Sequence, residues 1–144
     1  MKRRAPTVHF TCKLNELEIV VKALLSRLQE GGVILLKGDL AAGKTTLVQR
    51  VAAYLELEDA VTSPTFSIQQ CYGDTLFHYD IYNQGLEHFM ALGLLEELER
   101  EGYHFIEWGS ETLYHILKAA HIPVIMVEID KANAARQYRI IDDA

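Results

Sequence analysis

The sequence predicts an α/β fold in which a mixed, largely parallel sheet is flanked by helices. Three observations carry that expectation. Residues 33–37 (VILLK) form a short continuous apolar run, as expected of a strand buried on both faces of a parallel sheet. A glycine-rich loop follows at once and leads into a helical stretch. Around this unit, strand-like and helix-like segments alternate along the chain, the pattern of layered α/β domains.

Taken in order, residues 7–12 (TVHFTC) alternate and are rich in β-branched side chains, so they read as a strand. Asn15 opens a helix with Glu18 three positions on as its capping partner, and Leu17, Val20, Val21, Leu24, Leu25 and Leu28 line one face. Gly31 and Gly32 end it. After the apolar strand and the loop, a second helix covers residues 46–55. Pro64 then breaks regular structure within Thr62-Ser63-Pro64-Thr65. Residues 66–72 and 75–80 form a hairpin about a Gly73-Asp74 turn. Residues 86–100 hold one or two short helices hinged near Gly93. A central strand covers 103–108 (YHFIEW), a helix 111–118, and terminal strands 123–130 and 137–141.

The 144 residues suit one domain, 1–144, and a chain of this size buries enough surface for a core without disulfides or structural metal. No apolar run approaches the ~20 residues of a membrane span, and the basic start is not followed by an apolar segment, so a cytoplasmic protein is expected. Cys12 and Cys71 are far apart, show no metal-ligand spacing and read as reduced thiols. His9, His88, His104, His115 and His121 are scattered, and no metal is assigned to them. A net charge of −6 argues against strong direct nucleic-acid binding. Residues 51–99 carry nine acids and no Lys or Arg, while the rest of the chain carries 14 basic and 11 acidic residues. That stretch is a solvated acidic face or a docking face for a basic partner, and it supplies no cation to a transition state.

Gly38-Asp39-Leu40-Ala41-Ala42-Gly43-Lys44-Thr45 matches G-x-x-x-x-G-K-[ST], set between a strand and a helix. The glycines let successive main-chain N–H groups converge on phosphate oxygens, and the helix dipole adds positive potential. Lys44 brings a point charge to the β and γ phosphates, and the Thr45 hydroxyl is placed for Mg²⁺. The loop is therefore read as a P-loop for a nucleoside triphosphate, with Thr46 completing the nucleotide-binding set and Mg²⁺ as cofactor. An acid on a neighbouring strand is needed for the hydrated ion, and Asp80 and Glu107, each at a strand end after an apolar run, are the two candidates. His78 and Trp108, which flank these acids, are expected to turn to the opposite face and pack.

These residues resemble the TsaE (YjeE) family, the P-loop ATPases of tRNA threonylcarbamoyladenosine biosynthesis. The resemblance rests on Gly38-Asp39-Leu40 through Gly43-Lys44-Thr45-Thr46, then Ser63-Pro64-Thr65-Phe66, His78-Tyr79-Asp80-Ile81-Tyr82 and Glu107-Trp108, in that order. It implies a Mg²⁺-dependent ATPase that works with transferase proteins of the TsaD and TsaB type. It implies further that Thr45 and Glu107 hold Mg²⁺, that Thr65 sits near the γ phosphate, that Asp80 positions water and that Arg136 lies against the adenine. Two positions depart from the family pattern. Ala41 replaces a usual glycine but leaves the two motif glycines intact. Asn83 replaces a usual arginine and removes the one cation expected between Val51 and Glu99, so slow hydrolysis by the isolated protein, with a partner needed for a useful rate, is expected.

Two other readings stay open. A small-molecule P-loop kinase usually closes an Arg-rich lid, and residues 51–99 contain no Arg. A nucleotide-gated assembly factor with incidental hydrolysis fits the acidic stretch. A GTPase is disfavoured, because the chain has no N-K-x-D.

Overall fold

The computed structural model describes residues 7–38, 43–63, 68–81, 85–107, 110–132 and 134–141. The elements are β1 Val8–Cys12, α1 Leu17–Arg27, β2 Gly32–Lys37, α2 Lys44–Tyr54, β3 Val61–Thr62, β4 Gln69–Tyr72, β5 Leu76–Asp80, α3 Gly85–Ala91, α4 Leu94–Glu97, β6 Tyr103–Glu107, α5 Glu111–Ala119, β7 Val124–Ala132 and β8 Ala135–Ile141. Among the described residues, eight strands form one sheet in the order β1-β8-β7-β2-β6-β5-β4-β3.

The sheet is mixed, as its sequence indicates, and its centre is parallel. β7, β2, β6 and β5 run the same way, while β8 and β1 join one side and β4 and β3 the other in antiparallel pairs. β2 lies at the middle of the parallel group, and its alternation explains its unbroken apolar run. Ile34 and Leu36 face α1 and α2, where they pack with Val20, Val21, Leu24, Leu47, Val48 and Val51. Val33 and Leu35 face the other way, with Phe77, Phe89, Leu94, Leu113 and Leu117. Each fully buried aliphatic side chain contributes roughly 1.5–3 kcal/mol. A polar residue in β2 would be buried on whichever face it took.

The expected elements are present, with shifts at helix starts. Asn15 sits in a 3-10 turn, Leu14–Glu16, and α1 begins only at Leu17. The reason is that Glu16, not Glu18, reaches back: its Oε1 accepts the Lys13 main-chain N–H at 2.8 Å. No side chain caps α1. α2 begins inside the loop motif at Lys44, because Gly43 takes a left-handed conformation (φ 105) and serves as its N-cap. Ser110 caps α5 by accepting the Leu113 N–H at 3.2 Å. The hairpin joins β4 to β5 with Tyr72 opposite Leu76, and Gly93 separates α3 from α4. Residues 66 and 67 of its expected first arm lie outside the described residues.

A buried polar chain ties β4, β5 and β6 to α4. His104 Nε2–H donates to the Arg100 carbonyl at 2.9 Å, which leaves Nδ1 as the acceptor of the Tyr79 hydroxyl at 2.7 Å. Gln69 Nε2 donates to the Tyr79 oxygen at 3.0 Å and to Glu97 Oε2 at 2.9 Å, and Arg100 donates to the same Glu97 oxygen at 2.8 Å. Gln69, Tyr79 and His104 are all buried, so this mutual satisfaction is what makes their burial tolerable. Burial pushes the Tyr79 phenol up and the His104 imidazole down, so both stay neutral near pH 7. Among the described residues, no helix is long and apolar enough to cross a membrane.

Candidate nucleotide-binding site

The parallel strands β2, β5, β6 and β7 all end at one edge of the sheet, the edge where ligands sit in open α/β folds. β2 delivers the chain to Gly38 at that edge, and α2 starts there from Gly43. The amides in the first turn of an 11-residue helix thus face outward at this point, together with the positive end of its dipole.

Lys44 is 2% exposed, and its ammonium donates to the Gly38 carbonyl at 2.7 Å. The charge is folded across the mouth of the loop. Thr45, exposed in the same turn, donates its hydroxyl to Glu107 Oε2 at 2.9 Å. Glu107 ends β6 and is 7% exposed. Burial alone would push its carboxyl up, but His78, the Thr45 hydroxyl and the Lys44 charge together hold it below the ordinary carboxylate value. It is therefore ionised, and the His78 nitrogen that meets it must carry a proton.

That contact corrects the expectation for His78. Its Nε2 lies 2.5 Å from Glu107 Oε2, on the α2 face of the sheet, and it is a site residue instead of a packing residue on the far face. His78 and Asp80 are two residues apart on one strand and so share a face. Asp80 pairs in register with Glu107, which puts all three on that face. Period-two alternation, applied from Asp80 and not from its nearest neighbour, was the available signal. Trp108 lies outside the described residues.

Asp80 is exposed at the end of β5 beside Glu107. The structure thus brings together Gly38, Gly43, Lys44, Thr45, Asp80 and Glu107 at one sheet edge. Arg136, on β8, joins from another direction. With Gly43, Thr46, Cys12 and Tyr138 it lines a cleft of about 280 Å³, and its guanidinium donates to the Ala135 carbonyl at 3.1 Å. Asp39, Leu40, Ala41, Ala42, Thr65 and Asn83 lie outside the described residues.

The donor set fits Mg²⁺, a hard cation that takes oxygen ligands. Thr45 Oγ1 and an ionised Glu107 carboxylate meet at the start of α2. The surroundings also fit a triphosphate, with a lysine charge, helix amides and an adjoining cleft.

The family described as Threonylcarbamoyl adenosine biosynthesis protein TsaE matches residues 11–139. Proteins named tRNA threonylcarbamoyladenosine biosynthesis protein TsaE are similar to the chain. The Treponema pallidum protein is 42% identical over 86 residues, covering 58% of this chain and 64% of its own length. The Rickettsia conorii protein is 34% identical over 120 residues, covering 80% of this chain and 67% of its own. The Bacillus subtilis protein is 36% identical over 102 residues, covering 69% and 64%. The match thus spans about two thirds of the length of these relatives. A crystal structure of Bacillus subtilis YdiB shares the fold, with a TM-score of 0.66 at 23% identity over all of this chain and 90% of that one.

Proposed function

The chain belongs to the TsaE family, and from that premise we propose that it is a Mg²⁺-dependent ATPase supporting threonylcarbamoyladenosine formation on tRNA with proteins of the TsaD and TsaB type. The observation that carries the ATPase reading is the convergence of Lys44, Thr45 and Glu107 at the start of α2, where a helix N-terminus of the kind that suits phosphate meets a buried ionised acid.

The residues divide the work by charge and position. Lys44 leaves the Gly38 carbonyl to contact β and γ phosphate oxygens, aided by the main-chain amides of Gly43 to Thr46. Thr45 and Glu107 would hold Mg²⁺, which when bound would supply positive charge against the phosphate oxygens. Asp80, exposed beside Glu107, would orient the attacking water, and Thr65, outside the described residues, keeps only the role near the γ phosphate that the family resemblance implies. The cleft lined by Arg136 takes the adenine, with the guanidinium plane against the base.

The tRNA destination comes from family membership. Its test is deletion of the gene followed by mass analysis of tRNA nucleosides, with the Lys44→Ala gene supplied back in parallel. Loss of threonylcarbamoyladenosine that wild type restores and Lys44→Ala does not supports the proposal, and an unchanged modification level refutes it.

One observation favours a second reading. Residues 51–99 lack Lys and Arg, so the chain brings no cation from that stretch to a transition state. In that case ATP occupancy itself stabilises an assembly and hydrolysis is incidental. Under this reading Lys44→Ala and Glu107→Ala both lose complex formation. If hydrolysis is the output, complexes persist while modification fails.

A further inference from the structure

Glu107 Oε2 accepts from two side chains of different kinds. Thr45 is exposed in the first turn of α2, where on the reading above its hydroxyl would also serve an incoming ion. His78 is buried, and the parallel ladder that sets His78 opposite Phe105 and Asp80 opposite Glu107 holds it in place. Its orientation of the carboxylate is therefore independent of what fills the loop.

The geometry points to His78 as a positioning residue, whose Nε2–H fixes the Glu107 carboxylate in the orientation a divalent cation requires. This rests on the reading of Glu107 as the ion-holding acid. The imidazole acts through Glu107 and contacts neither nucleotide nor ion. Hydrogen-bond partners of metal-holding side chains commonly change metal affinity by about 10–100-fold when removed. A packing role would need only the ring's volume. The hydrogen bond needs the N–H.

The test uses the full chain and Mn²⁺ as a paramagnetic stand-in for Mg²⁺, with a non-hydrolysable ATP analogue, and reads free Mn²⁺ by electron paramagnetic resonance. His78→Leu keeps bulk without the donor, and His78→Gln keeps an N–H at similar reach. The expected result is a Mn²⁺ affinity about 10-fold lower or more in His78→Leu, largely recovered in His78→Gln. Analogue binding in EDTA stays at the wild-type level in both. Wild-type Mn²⁺ affinity in His78→Leu, or no recovery in His78→Gln, overturns the assignment. Glu107→Gln separates the two layers. If it too binds Mn²⁺ normally, the ion-holding role of Glu107 falls and that of His78 with it. If Glu107→Gln weakens Mn²⁺ and His78→Leu does not, only the His78 role falls. A measurement on the unaltered protein covers the case in which His78→Leu does not fold. Imidazole ¹⁵N spectra should show the His78 proton on Nε2, and a ring protonated only at Nδ1 contradicts the proposal.

Discussion

Asp80 and Glu107 sit side by side on adjacent parallel strands, yet Asp80 is exposed and Glu107 is only 7% exposed. Glu107 is held by Thr45 and His78, and Asp80 is exposed at the end of β5. Their substitutions should therefore separate. Glu107→Gln should weaken Mg²⁺-dependent nucleotide binding by about 10-fold or more. Asp80→Asn should leave ion affinity at the wild-type level and slow phosphate release. Binding titrations and phosphate-release assays on both variants check this, and equal loss of ion affinity in the two would contradict it.

Hydrolysis by the purified chain should be slow. Residues 51–99 offer no Lys or Arg, and a stabilising arginine is worth about 10³ to 10⁵ in turnover where one is used. Phosphate release should rise when the TsaD and TsaB type partners are added together. Fast turnover by the protein alone would show that no outside cation is needed.

His104 makes stability depend on pH. Burial, the largest influence, holds its folded pKa below 6.5, and the hydrogen bond to the Arg100 carbonyl only partly opposes this. The unfolded chain therefore takes up a proton first as pH falls. The stability from the neutral ring is complete above about pH 6.5 and is lost as pH drops from there toward the lower folded value. Urea denaturation at about pH 7.5 and 5.5 should show wild type losing stability over that interval and His104→Gln losing less. Parallel losses in the two would assign the dependence elsewhere. Glu107, also depressed, acts below its ordinary value of 4.5, outside this window.

Gly102→Ala should destabilise the fold without touching the site. Gly102 has φ +121, and an added Cβ would lie 2.4 Å from the Thr75 carbonyl oxygen, which already accepts the Tyr103 N–H at 2.7 Å. Both the conformation and the contact oppose a side chain, so a loss of about 1–3 kcal/mol is expected. A wild-type denaturation midpoint would contradict it.

Much of this was legible in the sequence because the signals were local. The apolar run of β2, the loop motif and the hairpin turn each lie within a few residues; β2 and the hairpin turn stand where their residues indicate, with a helix starting at Lys44. The Glu107 and Asp80 positions followed from strand ends after apolar runs. What was not legible depends on pairing between distant strands. Gln69, Tyr79, Glu97 and His104 have no telling spacing, and they meet only because β4, β5 and β6 are neighbours. His78 is a different case: it stands two residues from Asp80 on β5, so alternation along the strand already puts both on one face, and the next strand supplies its partner Glu107. The start of α1 shifted because the local side-chain bond is made by Glu16, to the Lys13 amide, and residues 14–16 form a 3-10 turn ahead of the helix.

Calorimetric titration of ATP with Mg²⁺ into wild type and Lys44→Ala asks whether Lys44 captures a triphosphate at the start of α2. The Lys44 ammonium, 2% exposed and poised on the Gly38 carbonyl, should give charge-assisted bonds worth about 1.5–3 kcal/mol, or roughly 10- to 100-fold in affinity. Clear binding heat is expected in wild type, with a loss of that size in Lys44→Ala. No heat in wild type, or equal affinity in both proteins, would contradict this capture.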